Sequence, residues 1–302
     1  KDIVRWALKK GRAAIFAECG LGKTLMQLEW ANQIQKHTDG KILILAPLAV
    51  APQTQHEGEK FGIAVNICES QADVINGVNI TNYEKIDKFV GSEFDGIVLD
   101  ESSILKSFTS STRNKLIDNF AKVPFRLACT ATPAPNDYME LGNHSEFLGV
   151  MTRAEMLSMY FVHDGGDTAK WRLKGHAEEV FWQWMASWSV FIDNPKNLDY
   201  EVDGYDLPKL NIHEIIVDGD ETINESLTLT QRRQARKDSL RERCNAAAEL
   251  VNNSDEQWIV WCDLNDESAA LKSKITESVE IKGSDKAKHK TNSMLNFSDG
   301  LI

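Results

Sequence analysis

Ala17-Glu18-Cys19-Gly20-Leu21-Gly22-Lys23-Thr24 decides how the chain is read. It follows an apolar run, Ala13 to Phe16, and opens a helical pattern from Leu25 to Ile34. Strand, glycine-rich turn and helix in that order form a cradle for the phosphates of a nucleoside triphosphate. Backbone N–H groups at the helix N-terminus face the anion, the ammonium of Lys23 reaches the β- and γ-phosphates, and the Thr24 hydroxyl ligates magnesium. Gly20 and Gly22, on either side of Leu21, are expected to let the backbone approach where a Cβ would block it. Ala17 stands where the strict G-x-x-x-x-G-K-[ST] form has its first glycine. The plain alternative is a tight turn without a ligand, but the motif requires a strand before and a helix after, and both are there.

Outward from this loop the same rhythm repeats. Lys41 leads a consecutive apolar run to Pro47, as in a strand buried on both faces of a parallel sheet. Ile63 to Ile67, Val78 to Ile80, Gly96 to Leu99 and Arg126 to Cys129 follow, separated by helix-length polar stretches. Strand alternating with helix predicts an α/β fold, whose ligands bind at the carboxyl ends of the strands. Ile97-Val98-Leu99 runs into Asp100-Glu101-Ser102-Ser103. Beside a phosphate loop, two carboxylates divide the work: Asp100 holds magnesium through water, and Glu101 orients and deprotonates the attacking water. Thr130-Ala131-Thr132 places two hydroxyls at the next strand end, although a simple turn before Pro133 would have the same composition.

In this order the motifs resemble those of the superfamily-two helicases and translocases, and more narrowly the Swi/Snf-like ATPases carried by phages and prophages. The resemblance covers nearly the whole chain. Ala46-Pro47-Leu48, with Gln53 and Phe61 behind it, matches a segment that touches the nucleic-acid backbone, and Ile80-Thr81-Asn82-Tyr83-Glu84 looks like the next such segment. Pro47, Thr81, Asn82 and Lys106 are thereby implied as nucleic-acid contacts, and Thr130, Ala131 and Thr132 as the motif that couples hydrolysis to them. Thr132-Pro133 followed by Asn136 resembles the family's T-P-x-x-N pattern. Ser103 replaces the histidine of the family's Asp-Glu-x-His box, which bears on how the box communicates with Thr130 to Thr132.

The resemblance implies two RecA-like P-loop lobes, each a parallel sheet flanked by helices, with a mainly helical insertion between them. The expected divisions are 1–142, 143–208 and 209–302, the last being an incomplete second lobe. In the insertion, Phe181, Trp184, Met185, Trp188, Phe191 and Ile192 fall on one helical face and read as core more readily than as a base-stacking platform. Trp182 lies off that stripe and is expected to be exposed. His163-Asp164-Gly165-Gly166-Asp167, followed by Lys170, Trp171 and Arg172, has no core periodicity and reads as a polar loop. His163 and His176 with Asp164 or Asp167 lack the spacing of a metal site. In the second lobe, strands are expected over Leu210 to Val217, Trp258 to Cys262 and from Val279. Arg232, Arg233, Arg236, Lys237, Arg241 and Arg243 form its most basic stretch, either a phosphate contact or a solvated helix face. The family's arginine finger and last nucleic-acid motif would follow Ile302, and its adenine-contacting glutamine would precede Lys1. Such a chain is expected to bind nucleotide and to hydrolyse it weakly.

The 302 residues, 42% hydrophobic and 26% charged, are enough for two domains. A net charge of -11 argues mildly against nucleic acid, although a mean charge says nothing of a local groove. Five cysteines without a C-x-x-C pair suggest buried thiols in a reducing compartment. No apolar run approaches a membrane span, and no signal peptide is visible. Together with this composition, the resemblance implies a cytoplasmic, monomeric, ATP- and Mg2+-dependent motor on double-stranded DNA, in a bacterium or a phage-infected host. A strand-separating helicase and a restriction-type translocase subunit are the enzymatic alternatives, a P-loop kinase a poorer one, and a non-catalytic nucleic-acid scaffold the alternative of another class.

Overall fold

In the computed structural model, residues 1–48, 50–107, 109–164, 167–205, 208–217 and 228–302 are described, without the side chains of 164, 167–170 and 287. They form two compact units, Lys1–Leu207 and Pro208–Ile302.

The first unit is built on a seven-stranded sheet. Its strands are β1 (Arg12–Ala17), β2 (Lys41–Ala46), β3 (Val65–Ile67), β4 (Gly77–Asn82), β5 (Gly96–Asp100), β6 (Phe125–Thr130) and β9 (Ser189–Ile192). They lie in the order β3-β4-β2-β5-β6-β1-β9, and every neighbouring pair is parallel. Parallel strands need crossovers, so the sheet is covered on both faces and its strands are apolar throughout. Ala13, Ile15, Ala17, Ile42, Ile44, Val98 and Leu127 point into one core layer; Ala14, Phe16, Leu43, Leu45, Ile97, Leu99 and Ala128 point into the other. Helices α1 (Asp2–Lys10), α2 (Lys23–Thr38) and α3 (Ala51–Lys60) cover the first layer, and α4 (Ser111–Asn119) contributes Leu116 to the second. On α2 the buried residues are Gln27, Leu28, Trp30, Ala31 and Ile34, while Leu25, expected on the same stripe, is 37% exposed.

The segment expected as a helical insertion completes this unit instead. It contains α5 (Leu141–Leu148), α6 (Arg153–Tyr160), an antiparallel hairpin of β7 (Phe161–Asp164) and β8 (Asp167–Leu173), and α7 (Glu178–Trp188). The chain then enters β9, paired with β1 from Ala14 opposite Ser189 to Ala17 opposite Ile192. A division at residue 142 would cut α5 internally. Most of the aromatic stripe is core: Phe181, Met185, Trp188 and Ile192 are buried and Trp184 packs against them, whereas Phe191 is 45% exposed. The helical period does not continue through it, because α7 stops at Trp188. Ser189 turns extended, its hydroxyl donates to the Met185 carbonyl, and the β-branched and aromatic residues of Val190-Phe191-Ile192 suit a strand. Trp182 is half-buried against Phe181, Tyr138 and Phe191, not exposed.

The second unit holds α8 (Leu229–Asp238), α9 (Leu240–Asn252), α10 (Asn265–Lys274) and α11 (Ala287–Ser298), with irregular segments before α8, between α9 and α10 and between α10 and α11 where strands were expected. Cys244, Ala248 and Leu271 form a small core between α9 and α10. Residues 210–217, 258–262 and 279–282 form no ladder among the described residues. The reason is local: a strand needs a hydrogen-bonded neighbour, and these apolar side chains face outward, Ile216 at 83% and Trp261 at 91% exposure. The order of helices and irregular segments still follows that of an α/β lobe.

Phe181 is fully buried among Tyr160, Phe161 and Trp184. Phe181→Ala is expected to lower the unfolding free energy of the first unit by about 3–5 kcal/mol. Denaturant unfolding of the two proteins measures this, and an unchanged midpoint would remove α7 from the core.

Candidate active site

Because all seven strands point the same way, their carboxyl ends share one edge of the sheet. Ala17 ends β1, Ala46 ends β2, Asn82 ends β4, Asp100 ends β5 and Thr130 ends β6. The expected site residues that follow from strand ends are therefore brought to one edge, and β5, β6 and β1 are consecutive neighbours along it.

The phosphate loop leaves β1 at Ala17 and enters α2 at Lys23. Gly20 and Gly22 have φ of 83° and 75°, where a side chain is strained. A Cβ at either glycine would meet no protein atom within 4 Å, so their conformation, not crowding by the fold, demands glycine. Lys23 Nζ donates to the carbonyls of Ala17 at 2.9 Å and Glu18 at 3.2 Å, folding the ammonium back over the loop. The N-terminus of α2 carries no side-chain cap and no acidic residue in its first turn, so its amide donors and positive dipole end face the loop unquenched. That suits an anion. The far side of the loop is tied down by a bond that the sequence did not reveal: Glu18 N–H donates to the Ile192 carbonyl of β9 at 2.9 Å.

Asp100 is 8% exposed. Burial raises its carboxyl above the ordinary carboxylate range, the neighbouring Glu101 charge adds to the rise, and Gln27 and Lys23 oppose it. Gln27 Nε2 donates to Asp100 Oδ1 at 2.6 Å, and Tyr83 Oη donates to the Asp100 carbonyl at 2.6 Å. A buried carboxylate next to another acid calls for a cation, and Asp100 with Thr24 at the start of α2 fits Mg2+. Among the described residues no group of three His, Cys, Asp or Glu gathers as a metal site. Mg2+ does not require one, since it takes one or two protein oxygens and completes its shell with phosphate and water.

Glu101 has φ 51° and ψ 55°, a left-handed conformation that costs a non-glycine residue about 1–3 kcal/mol and persists only where its surroundings enforce it. Thr130 Oγ1 donates to Glu101 Oε2 at 3.1 Å, and Thr132 N–H donates to Thr130 Oγ1 at 3.1 Å. The acidic pair and the Thr130-Ala131-Thr132 segment are thus joined directly, with Ser103 taking no part in the bond. Ser102, the residue between, is fully buried and its Oγ lies 3.2 Å from His144 Nε2 on α5.

The expected nucleic-acid residues are placed unequally. Lys106 is exposed and Pro47 half-buried just beyond β2. Phe61 is 53% exposed at the end of α3. Thr81 is buried and its hydroxyl donates to the Cys68 carbonyl at 2.8 Å, so it is spent inside the fold and is not presented to a phosphate. Asn82 is buried with its side-chain oxygen unbonded. In the hairpin, the His163 and Trp171 rings lie tilted by 39° with centroids 3.7 Å apart. Gly165, Gly166 and the side chains of Asp164, Asp167 and Lys170 lie outside the described residues. In the second unit Arg236 pairs with Asp263 and Arg243 with Glu267, leaving Arg232, Arg233, Lys237 and Arg241 exposed on α8 and the start of α9.

Residues 3–135 match the family described as Type III restriction enzyme, res subunit. The first unit has a RecA-like fold, a parallel sheet flanked by helices. The SWI2/SNF2 ATPase core of Sulfolobus solfataricus in complex with dsDNA is similar with a TM-score of 0.53 at 18% identity, over 65% of this chain and 44% of that one. The SWI2/SNF2 ATPase core domain of the same organism is similar with a TM-score of 0.51 at 16% identity, over 97% of this chain and 71% of that one. The chain thus spans less than half the length of the first of these two, and the likeness is one of fold. No curated protein matches the chain. Among the described residues no helix is long and apolar enough to cross a membrane.

Gln27, His144 and the Ile192 carbonyl were not found from sequence. Gln27 left a trace, a polar residue on the buried stripe of α2; the other two depend on pairings across the whole unit.

Burial lowers the His144 imidazole from 6.5 to about 4. A depressed folded-state value means that the unfolded chain takes up the proton first, so stability is complete above pH 6.5 and declines as pH falls towards 4. Between pH 7.5 and 5 the wild type is expected to lose about 2 kcal/mol more than His144→Gln. Urea unfolding at the two pH values checks this; equal losses would mean that His144 titrates normally.

Proposed function

We propose that the chain is the nucleotide-binding part of a DNA-stimulated ATP hydrolase that moves on duplex DNA as a monomer. The observation that carries this reading is the hydrogen-bonded line from Glu101 through Thr130 to Thr132, set beside the Lys23 loop on neighbouring strand ends.

In this reading the loop amides and Lys23 hold the β- and γ-phosphates, and Leu21 lies in the turn that wraps them. Thr24 and Asp100 hold Mg2+, which supplies positive charge to the phosphates when bound. Glu101 accepts a proton from the attacking water while the Thr130 hydroxyl holds the carboxylate in place; water adds to the γ-phosphorus and ADP leaves. Thr130, Ala131 and Thr132 pass the change to segments that touch DNA, with Pro47, Asn82 and Lys106 the contacts that remain after Thr81 is set aside. Support for duplex DNA comes from the Sulfolobus solfataricus core, whose structure was determined with dsDNA. The family match favours a second reading, a translocase subunit of restriction type.

The decisive measurement is ATP hydrolysis with and without duplex DNA. Stimulation by the duplex is expected on the low rate that the sequence implies for this chain, with Lys23→Ala and Glu101→Gln each about 10²-fold slower or more. Glu101→Gln should still bind nucleotide. If it hydrolyses ATP as fast as wild type, or if no duplex stimulates the wild type, a nucleic-acid scaffold replaces the motor. Release of a labelled strand from a partial duplex would instead identify a strand-separating helicase.

DNA binding made through phosphates weakens steeply with salt. For the exposed arginines of α8, Arg232→Gln combined with Arg233→Gln is expected to reduce the slope of log affinity against log salt by about 2. An unchanged slope would leave α8 a solvated helix face.

A further inference from the structure

The acidic box is held from one side by a helix that the proposed chemistry does not use. Helix α5 reaches both ends of the short turn from Ser102 to Lys106. At one end, His144 Nε2 lies 3.2 Å from Ser102 Oγ, immediately after Glu101. At the other, Asn143 Nδ2 donates to the Lys106 carbonyl at 3.1 Å. Neither residue reaches solvent, His144 being fully buried and Asn143 1% exposed.

The imidazole also touches the strand that carries the phosphate loop. Its ring meets the Phe16 ring edge to face at 5.3 Å, and Phe16 is the residue before Ala17. Phe16 is held in turn by Trp188 and Phe191, on α7 and β9. One buried side chain therefore spans the end of β1 and the residue after Glu101. A polar group placed in such a site is costly unless it is bonded; Ser102 supplies the partner of Nε2, while Nδ1 has none among the described residues.

The conformation of Glu101 makes this contact consequential. A left-handed glutamate relaxes unless both flanks are held. Asp100 is held on the upstream side by β5 pairing and by Gln27. Downstream the hold is Ser102 on His144.

We propose that Asn143 and His144 form a positioning clamp: they fix the Ser102 to Lys106 turn so that Glu101 stays aimed at its water and moves as one piece with Lys106. The clamp rests on Glu101 being the base of the proposed hydrolase. His144 touches no substrate; it acts through Ser102 on Glu101. Asn143 ties the same turn to the place where Lys106 is offered to DNA, so displacement at Lys106 reaches Glu101 through a short, rigid stretch of backbone.

The test is steady-state ATP hydrolysis with saturating duplex DNA by wild type, Ser102→Ala, His144→Leu, the double variant and His144→Gln, with unfolding followed for each. Both single variants are expected to lower kcat about tenfold or more while KM for ATP changes less than about twofold, since orientation of the base matters in the transition state and not in binding. The double variant should be no slower than the worse single variant, because both remove one link. His144→Gln keeps a polar group near Ser102 and should recover most of the rate. A folded His144→Leu with wild-type kcat, losses that multiply in the double variant, or a fall confined to KM would each overturn the clamp. A wild type that no duplex stimulates overturns the hydrolase reading and the clamp with it; a stimulated wild type with indifferent variants overturns the clamp alone. Should His144→Leu fail to fold, Ser102→Ala, which deletes one oxygen, decides by the same kcat criterion.

Discussion

The site depends on the parallel pairing of β1 between β6 and β9. Five successive residues from Ala13 to Ala17 can enter the interior only if both faces of the sheet are covered and both edges of the strand are paired. Once those pairings exist, the place where β1 ends is determined, and the loop from Glu18 to Gly22 begins there. The neighbouring pairings carry Thr130 and Asp100 to the same edge. No long-range attraction between site residues is needed to assemble them, since the backbone ladder does the placing.

Charge is then arranged against this frame at a cost. Asp100 loses hydration at the end of β5, with a second carboxylate beside it, and Gln27 offsets only part of that. Glu101 adds backbone strain. Both penalties fall on adjacent residues, the pattern expected where binding energy is meant to act. The structural acids of the second unit contrast with them. Glu267 is buried too, but the bonds it accepts from Arg243 and from the backbone of Asp263 and Leu264 keep its carboxyl below the usual range.

Much of the first unit was legible because its signals are short in range. A double-faced strand announces itself as an apolar run, and the residues that follow it are the residues at the edge. β9 was not legible in this way: four residues after an aromatic helix continue the helical stripe as well as they start a strand, and only the empty side of β1 selects between the two. His144 is silent for a similar reason, since its partners Phe16 and Ser102 come from a strand and a turn far away in sequence. The burial of Thr81 was not legible either: its position in β4 aims the hydroxyl at the Cys68 carbonyl, a neighbour set by sheet register. In the second unit, apolar runs alone did not make strands, because an apolar run records a preference for burial and a ladder needs a partner.

The hydrogen bond from Glu18 to Ile192 has a further consequence for how the protein is made. It joins the first strand of the unit to its last, so the contact order of the nucleotide loop is nearly the length of the unit itself. During synthesis the Lys23 loop emerges early, but its last backbone tether comes only when β9 has left the ribosome and docked. A nascent chain would therefore carry the entire glycine-lysine motif while still unable to close it. Closure of the loop would be timed by the completion of the sheet and not by the appearance of the motif.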